Sequence, residues 1–374
     1  MRIRSATTAA AISLATLLGL SLGSAALLDL YELVRPPFYR ESYSSAAVFA
    51  GDREAARVHF REFHRLEVAY QPFVAWRYQP FTGRTITIAA NGLRHTPQAA
   101  VRGAPVLRVF GGSTVWGMGS ADGDTLPAAL AHELGSGWQV VNHGQIGYTS
   151  RQDVDALLSS LSREEPLTAA LFYGGVNDIA AQCRADVSLP GHMDEPTFRQ
   201  RLAPRRWWLP RLFLEPPAGV LALVRHKLGH DQEAPWICDR DPARAAAVAE
   251  EILRVWRLAH VLVQEAGGDF VAAIQPVAYF GHPEHEGVEM GGYPGMRAQF
   301  ETVYPLLRQR IAAAGDPWIV DLTGALDGGP VAYFDFCHVG PAGNRRVAAA
   351  LSREVLDRDL LPTPEPTTRP SPSP

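Results

Sequence analysis

From Val106 to Asp357, short apolar runs alternate with stretches of helical periodicity, and this alternation leaves few folds open. The strands read as Val106–Phe110, Gln139–Asn142, Ala169–Tyr173, Asp269–Gln275 and Trp318–Asp321. The helices read as Leu126–Leu134, Arg151–Leu161, Pro242–Ala266, Met296–Ala314 and Gly343–Asp357. Parallel strands need a long crossover, usually a helix, so strand-helix alternation predicts a parallel sheet covered on both faces. The expected core is a three-layer α/β/α sandwich. A hydrophobic share of 47% against 20% charged residues supplies enough apolar surface for it. The formal charge of −4 argues against a nucleic-acid partner, which would want a basic surface.

The first strand runs into Gly111-Gly112-Ser113. Glycine lets the backbone turn sharply and approach a ligand, and open α/β sheets bind ligands at the carboxyl ends of their strands. Ser113 therefore stands where chemistry is expected. Three other motifs fail on inspection. Val115 stands where Gly-x-Ser-x-Gly needs its last glycine, Met118 follows Gly117 where a phosphate loop needs lysine, and Gly112 and Gly117 are spaced wrongly for a dinucleotide loop. Taken alone, a Gly-Gly-Ser turn is better explained as a capping or turn serine.

The far end of the chain changes that balance. Asp335 and His338 stand three residues apart, just before Pro341 and the closing helix. Such spacing lets a carboxylate hold one ring nitrogen while the other takes a proton from a serine. Between these ends lie two more strand-glycine turns, Asn142-His143-Gly144-Gln145-Ile146-Gly147 and Tyr173-Gly174-Gly175-Val176-Asn177-Asp178. A glycine-turn amide and an asparagine side chain are what an oxyanion hole requires.

These four blocks, in this order, resemble the SGNH (GDSL-type) hydrolase family over roughly Val106–Leu356. The resemblance implies a flavodoxin-like core and a serine ester hydrolase that needs no metal and no organic cofactor. Ser113 is similar to the family nucleophile, His338 to its base and Asp335 to the orienting carboxylate. Oxyanion donors would be the backbone amides of Ser113 and Gly147 and the side chain of Asn177. One departure concerns the first block, where Gly112 replaces the family's aspartate. The implied substrate is an acylated small molecule or glycan, and acetyl esters on exported polysaccharide suit an extracytoplasmic enzyme. Two alternatives use the same residues differently: an O-acyltransferase acting on a surface glycan, and a glycan-binding or assembly protein on an idle scaffold.

Arg2 and Arg4 precede an uncharged apolar run, Ala6–Leu28, long enough to cross about 30 Å of hydrocarbon as a helix. The arginines would stay cytoplasmic and send the remainder outside. Ser24-Ala25-Ala26 offers a processing site, so residues 1–29 read either as a membrane anchor or as a signal peptide. Residues 30–100 read as an extension. A helix is expected over Asp52–Glu67, and Val74–Tyr78 is expected to pair with Thr85–Ile88 across a turn at Pro80–Gly83. Trp76 and Tyr78 suit packing better than contact with a polysaccharide.

The hydrolase-like domain spans 101–360, interrupted at 184–237 by a segment carrying Arg205-Arg206-Trp207-Trp208 and an apolar run, Gly219–Leu228. Attached after Asn177, this segment is placed to act as a lid or to lie on a membrane surface, with plain packing as the simpler reading. Cys183 and Cys238 bracket it, which outside the cytoplasm suggests a disulfide, two free thiols being the alternative. Cys337 is left over for packing. His282-Pro283-Glu284-His285 is no helical metal pair, because Pro283 breaks the spacing. His143 suits a structural hydrogen bond, and Asp321 lies too far in sequence from His338 to displace Asp335. Residues 361–374 form a Pro/Thr/Ser-rich tail expected to be disordered.

Overall fold

The computed structural model describes residues 2–34, 41–98, 103–202, 216–221, 223–225, 236–288, 290 and 295–362. The chain divides into two units: Met1–Phe38 with Thr197–Glu233, and Tyr39–Pro196 with Ala234–Pro374. In the first unit, Arg2–Val34 is one continuous helix. Its segment Ile12–Tyr31 has a mean hydropathy of 1.6 and is long and apolar enough to cross a membrane. Leu14, Leu18 and Leu22 stand exposed along it, an apolar surface of the kind that marks membrane or protein contact.

The second unit is built on five parallel strands: β5 (Val106–Gly111), β6 (Gln139–Asn142), β7 (Ala169–Gly174), β8 (Asp269–Ile274) and β9 (Ile319–Asp321). Their order across the sheet is β6-β5-β7-β8-β9, with every neighbour parallel. The parallel sheet agrees with the strand-helix alternation, and its order is the flavodoxin-like one that the family resemblance implies. The chain leaves β5 to one side for β6 and returns to its other side for β7. Loops on either side of β5 therefore diverge, opening a crevice at its carboxyl end.

Side chains alternate between the two faces of the sheet. Phe110, Phe172 and Phe270 pack on one face with Leu157 and Trp256, while Leu107, Val109, Leu171 and Val271 pack on the other with Leu130 and Leu351. Helices cover both faces, which is why the strands read as continuous apolar runs rather than alternating ones. The closing helix begins at Pro341, two residues before the expected start, because proline suits a first helical position.

The extension folds differently from expectation. Its helix covers Arg53–Phe63, capped by Asp52 accepting from the Ala55 amide at 2.9 Å. Four short strands precede the core: β1 (Val68–Gln71), β2 (Ala75–Tyr78), β3 (Phe81–Thr82) and β4 (Thr87–Ile88). The expected partnership of Val74–Tyr78 with Thr85–Ile88 does not form. Instead β2 pairs antiparallel with β1, and β3 with β4. The turn before β2 reverses the chain, with Phe73 and Ala75 at φ of 69° and 73°. Thr85 and Ile86 are taken elsewhere, since the Glu62 carboxylate accepts from the Arg84, Thr85 and Ile86 amides at 2.6, 2.9 and 3.2 Å.

Cys183 and Cys238 are bonded across 55 residues. Closing a loop of that length contributes about 4 kcal/mol in the chain-entropy account. Of the segment it encloses, Glu195–Leu202 and residues 216–221 and 223–225 are helical. Within 184–237, residues 203–215, 222 and 226–235, which include Arg205–Phe213, lie outside the described residues, as does the tail 363–374.

Candidate active site

Strand β5 is buried throughout and delivers Ser113 to the first turn of a four-residue helix, Ser113–Trp116. First-turn amides have no partner within their own helix, and Ser113 stands in that turn. The Ser113 hydroxyl lies 2.6 Å from His338 Nε2, a contact between residues 225 apart in sequence. His338 Nδ1 lies 2.7 Å from Asp335 Oδ2. With Asp335 ionised, Nδ1 carries the proton and donates to the carboxylate, so Nε2 accepts from the serine hydroxyl.

The Asp335–His338 loop is held from several sides. The Cys337 and His338 amides donate to Asp335 Oδ1 at 3.0 and 2.8 Å. Burial works against the Asp335 charge, but the His338 ring and these amides outweigh it and bring the carboxyl below its usual range. Phe334 lies parallel to the His338 ring at 5.7 Å and is itself seated among Tyr43, Phe49 and Phe60 of the extension. Gln275 follows β8 and joins the two halves, accepting from Thr114 Oγ1 at 3.0 Å and donating to the Cys337 carbonyl at 3.1 Å. Neither Gln275 nor Phe334 was marked by motif, since each acts through tertiary contacts alone.

Cys337 lies beside His338, with Sγ 3.5 Å from its Nδ1. Burial and the Asp335 charge push its thiol well above the usual range, so it stays protonated. Ligand-type atoms of Asp335, Cys337 and His338 fall within 4.8 Å of one another. Both ring nitrogens of His338 are, however, already engaged by Asp335 and Ser113.

The two other glycine turns meet beside Ser113. Asn177 Nδ2 donates to the Tyr148 carbonyl at 2.8 Å, which leaves its second proton for another acceptor. The same Nδ2 would stand 2.3 Å from a Cβ at position 112, so the absence of a side chain there admits the Asn177 amide. Gly147, one residue before Tyr148, has a φ of 80° that other residues rarely adopt.

Beneath these turns lies a buried polar network that motif reading did not pick out. Asp178 accepts from the Ser150 amide at 3.0 Å and from the Ser150 hydroxyl at 2.8 Å, which ties the Asn177 helix to the Gly147 loop. Trp256 Nε1 donates to the same hydroxyl at 3.1 Å. Asp153 stands nearby, hydrogen-bonded by the Gly111 amide. Burial raises the Asp178 carboxyl to about 6, and burial together with the Asp178 charge raises Asp153 well above its usual value.

The sign of the pH effect follows from proton counting. A raised carboxyl keeps a proton in the folded state that the unfolded chain releases above about pH 4, so stability falls as pH rises beyond that point. Asp178 contributes this fall between about pH 4 and its folded value of about 6, and Asp153 extends it upward. Asp153→Asn is therefore expected to raise the melting temperature more at pH 8 than at pH 5. The difference is at most about 1.4 kcal/mol per pH unit, and equal gains at the two pH values would contradict it.

Several other groups fall outside the site. His143 Nε2 lies 2.6 Å from Arg108 Nη1, and its ring packs on Phe110. Asp321 receives Arg308 at 2.6 Å and the Thr323 hydroxyl at 2.6 Å. His285 Nδ1 lies 3.0 Å from the Pro283 carbonyl, and no metal-ligand cluster forms around His282 and His285 among the described residues.

A hydroxyl, an imidazole and a carboxylate in series, at the switch point of an open parallel sheet, make the arrangement from which serine nucleophiles are built. No family model matches the sequence, and no curated protein matches it. Solved structures do. A carbohydrate acetylesterase family member from Sinorhizobium meliloti is 18% identical over 69% of this chain and 99% of its own, with a TM-score of 0.36. A second carbohydrate acetylesterase from that organism is 12% identical over 68% and 99%, at 0.39. A member of the lipolytic G-D-S-L family from Veillonella parvula is 12% identical over 68% and 97%, at 0.38. What this site does chemically follows from its own geometry.

Proposed function

We propose that this chain is a serine ester hydrolase of the SGNH type that removes short acyl groups, acetyl above all, from an extracytoplasmic glycan. The observation that carries the reading is the continuous chain from Ser113 through His338 to Asp335, at 2.6 and 2.7 Å. His338 takes the Ser113 proton as the oxygen attacks the acyl carbon, and Asp335 stabilises the imidazolium that forms. Charge develops on the former carbonyl oxygen, where the Ser113 and Gly147 amides and the Asn177 side chain donate to it. His338 returns the proton to the leaving sugar hydroxyl. Water, activated by the same ring, then releases the acid from the acyl-enzyme.

The N-terminal helix supports the location. Ile12–Tyr31 would hold the enzyme at a membrane with the catalytic unit outside, where the Cys183–Cys238 bond is chemically at home. The test is to supply purified full-length enzyme with acetylated glycans and short p-nitrophenyl esters, and to measure the acid released. Ser113-dependent acetate release from the glycan supports the reading. Acyl transfer from the activated ester to added glycan, at the expense of hydrolysis, would replace it with an acyltransferase.

A further inference from the structure

The loop that carries Gly147 is tied to the extension along β2, the turn before it and the turn at Gly92. Five hydrogen bonds join residues 74–92 of the extension to residues 145–152. Gln145 Nε2 donates to the Gly92 carbonyl at 3.0 Å, and Gln145 Oε1 accepts from the Tyr78 amide at 3.3 Å. Gln152 Nε2 donates to the Val74 carbonyl at 2.8 Å, and the Tyr148 hydroxyl donates to the Trp76 carbonyl. The fifth bond runs from Trp76 Nε1 to the Ile146 carbonyl at 3.0 Å.

That last contact has a specific geometric consequence. The Ile146 carbonyl and the Gly147 N–H belong to one planar peptide unit and point in opposite directions across it. Whatever fixes the carbonyl also aims the N–H. A glycine at φ 80° could otherwise let this peptide rotate at little steric cost. The indole also packs against this glycine, its Cζ2 3.4 Å from where a Cβ at position 147 would stand. Donation into the carbonyl also polarises the peptide, which makes its N–H a stronger donor. Trp76 is itself seated by the strand register, opposite Tyr70, and by edge contacts with the Tyr148 and His192 rings.

We propose that Trp76 is a positioning residue of the reaction: its indole N–H holds the Ile146–Gly147 peptide so that the Gly147 amide faces the developing oxyanion. The extension is then a working part of the active site. This inference rests on the role given to Gly147 under the proposed function.

Trp76→Phe keeps an aromatic ring and removes the N–H. In the full-length enzyme, kcat for p-nitrophenyl acetate should fall about tenfold, part of what losing a whole oxyanion donor costs, with KM within twofold. Affinity for an alkyl boronic acid, which forms a tetrahedral adduct at Ser113, should fall by a similar factor. The midpoint of the pH–rate profile should stay where it is, because the base is untouched. The Gly147 amide resonance should shift and exchange faster. Should Trp76→Phe fold poorly, β-(3-benzothienyl)alanine at position 76 keeps the bicyclic shape with sulfur in place of N–H, and the same losses are expected. Unchanged kcat and boronate affinity, a loss confined to KM, or an unmoved Gly147 amide would overturn the proposal. Wild-type enzyme lacking Ser113-dependent hydrolysis would instead overturn the esterase reading, and the Gly147 resonance would still decide the role of Trp76.

Discussion

Ser113→Ala is expected to lower kcat/KM for p-nitrophenyl acetate by about 10,000-fold or more, to the level left by the oxyanion donors and binding alone. The effect should be this large because the three side chains work as a unit: without the hydroxyl, His338 has no proton to take at 2.6 Å. His338→Ala should cost a similar factor, and the double variant should be little worse than either single one. The melting temperature should barely move, since Ser113 is a small side chain in the helical turn after β5 rather than within the two apolar layers. Steady-state rates with a thermal melt of each variant decide the matter. Activity within tenfold of wild type in Ser113→Ala would remove the nucleophile assignment.

Asn177→Asp is expected to be worse than Asn177→Ala. Alanine removes one donor and should lower kcat by roughly a hundredfold. Aspartate replaces the donor with a charge of the same sign as the developing oxyanion. It also places that charge against the Tyr148 carbonyl, which the wild-type amide approaches at 2.8 Å. The additional loss should ease at low pH as the new carboxyl protonates, whereas the alanine variant should show no such recovery. Measuring kcat for both variants across pH 5 to 8 separates the two effects. Equal activities throughout would mean that Asn177 does not face the charge.

Different parts of this molecule were legible to different degrees. The five parallel strands could be read because each is a short apolar run ended by glycine or a polar residue, as in Val106–Gly111 and Ala169–Gly174. The Asp335–His338 pair could be read because three-residue spacing is a local constraint. Pairing within the extension could not be read. Val74–Tyr78 is equally suited to either neighbour, and the choice was made by Glu62, which binds the backbone of Thr85 and Ile86 from a helix more than twenty residues away. Gln275 shows the same limit. Its place at a strand end was visible, but its bridge from Thr114 to Cys337 depends on three segments meeting.

Sequence alone thus determined the layer architecture and singled out Ser113, Asp335 and His338 as candidates, because periodicity and short spacing act within a few residues of chain. Tertiary structure decided what those groups lean on: Phe334 against the His338 ring, the Asp178–Ser150 tie, and the indole of Trp76 on the Gly147 peptide. Such contacts join residues dozens to hundreds apart. Their geometry is set by how the sheet and its flanking elements pack, which no local pattern encodes.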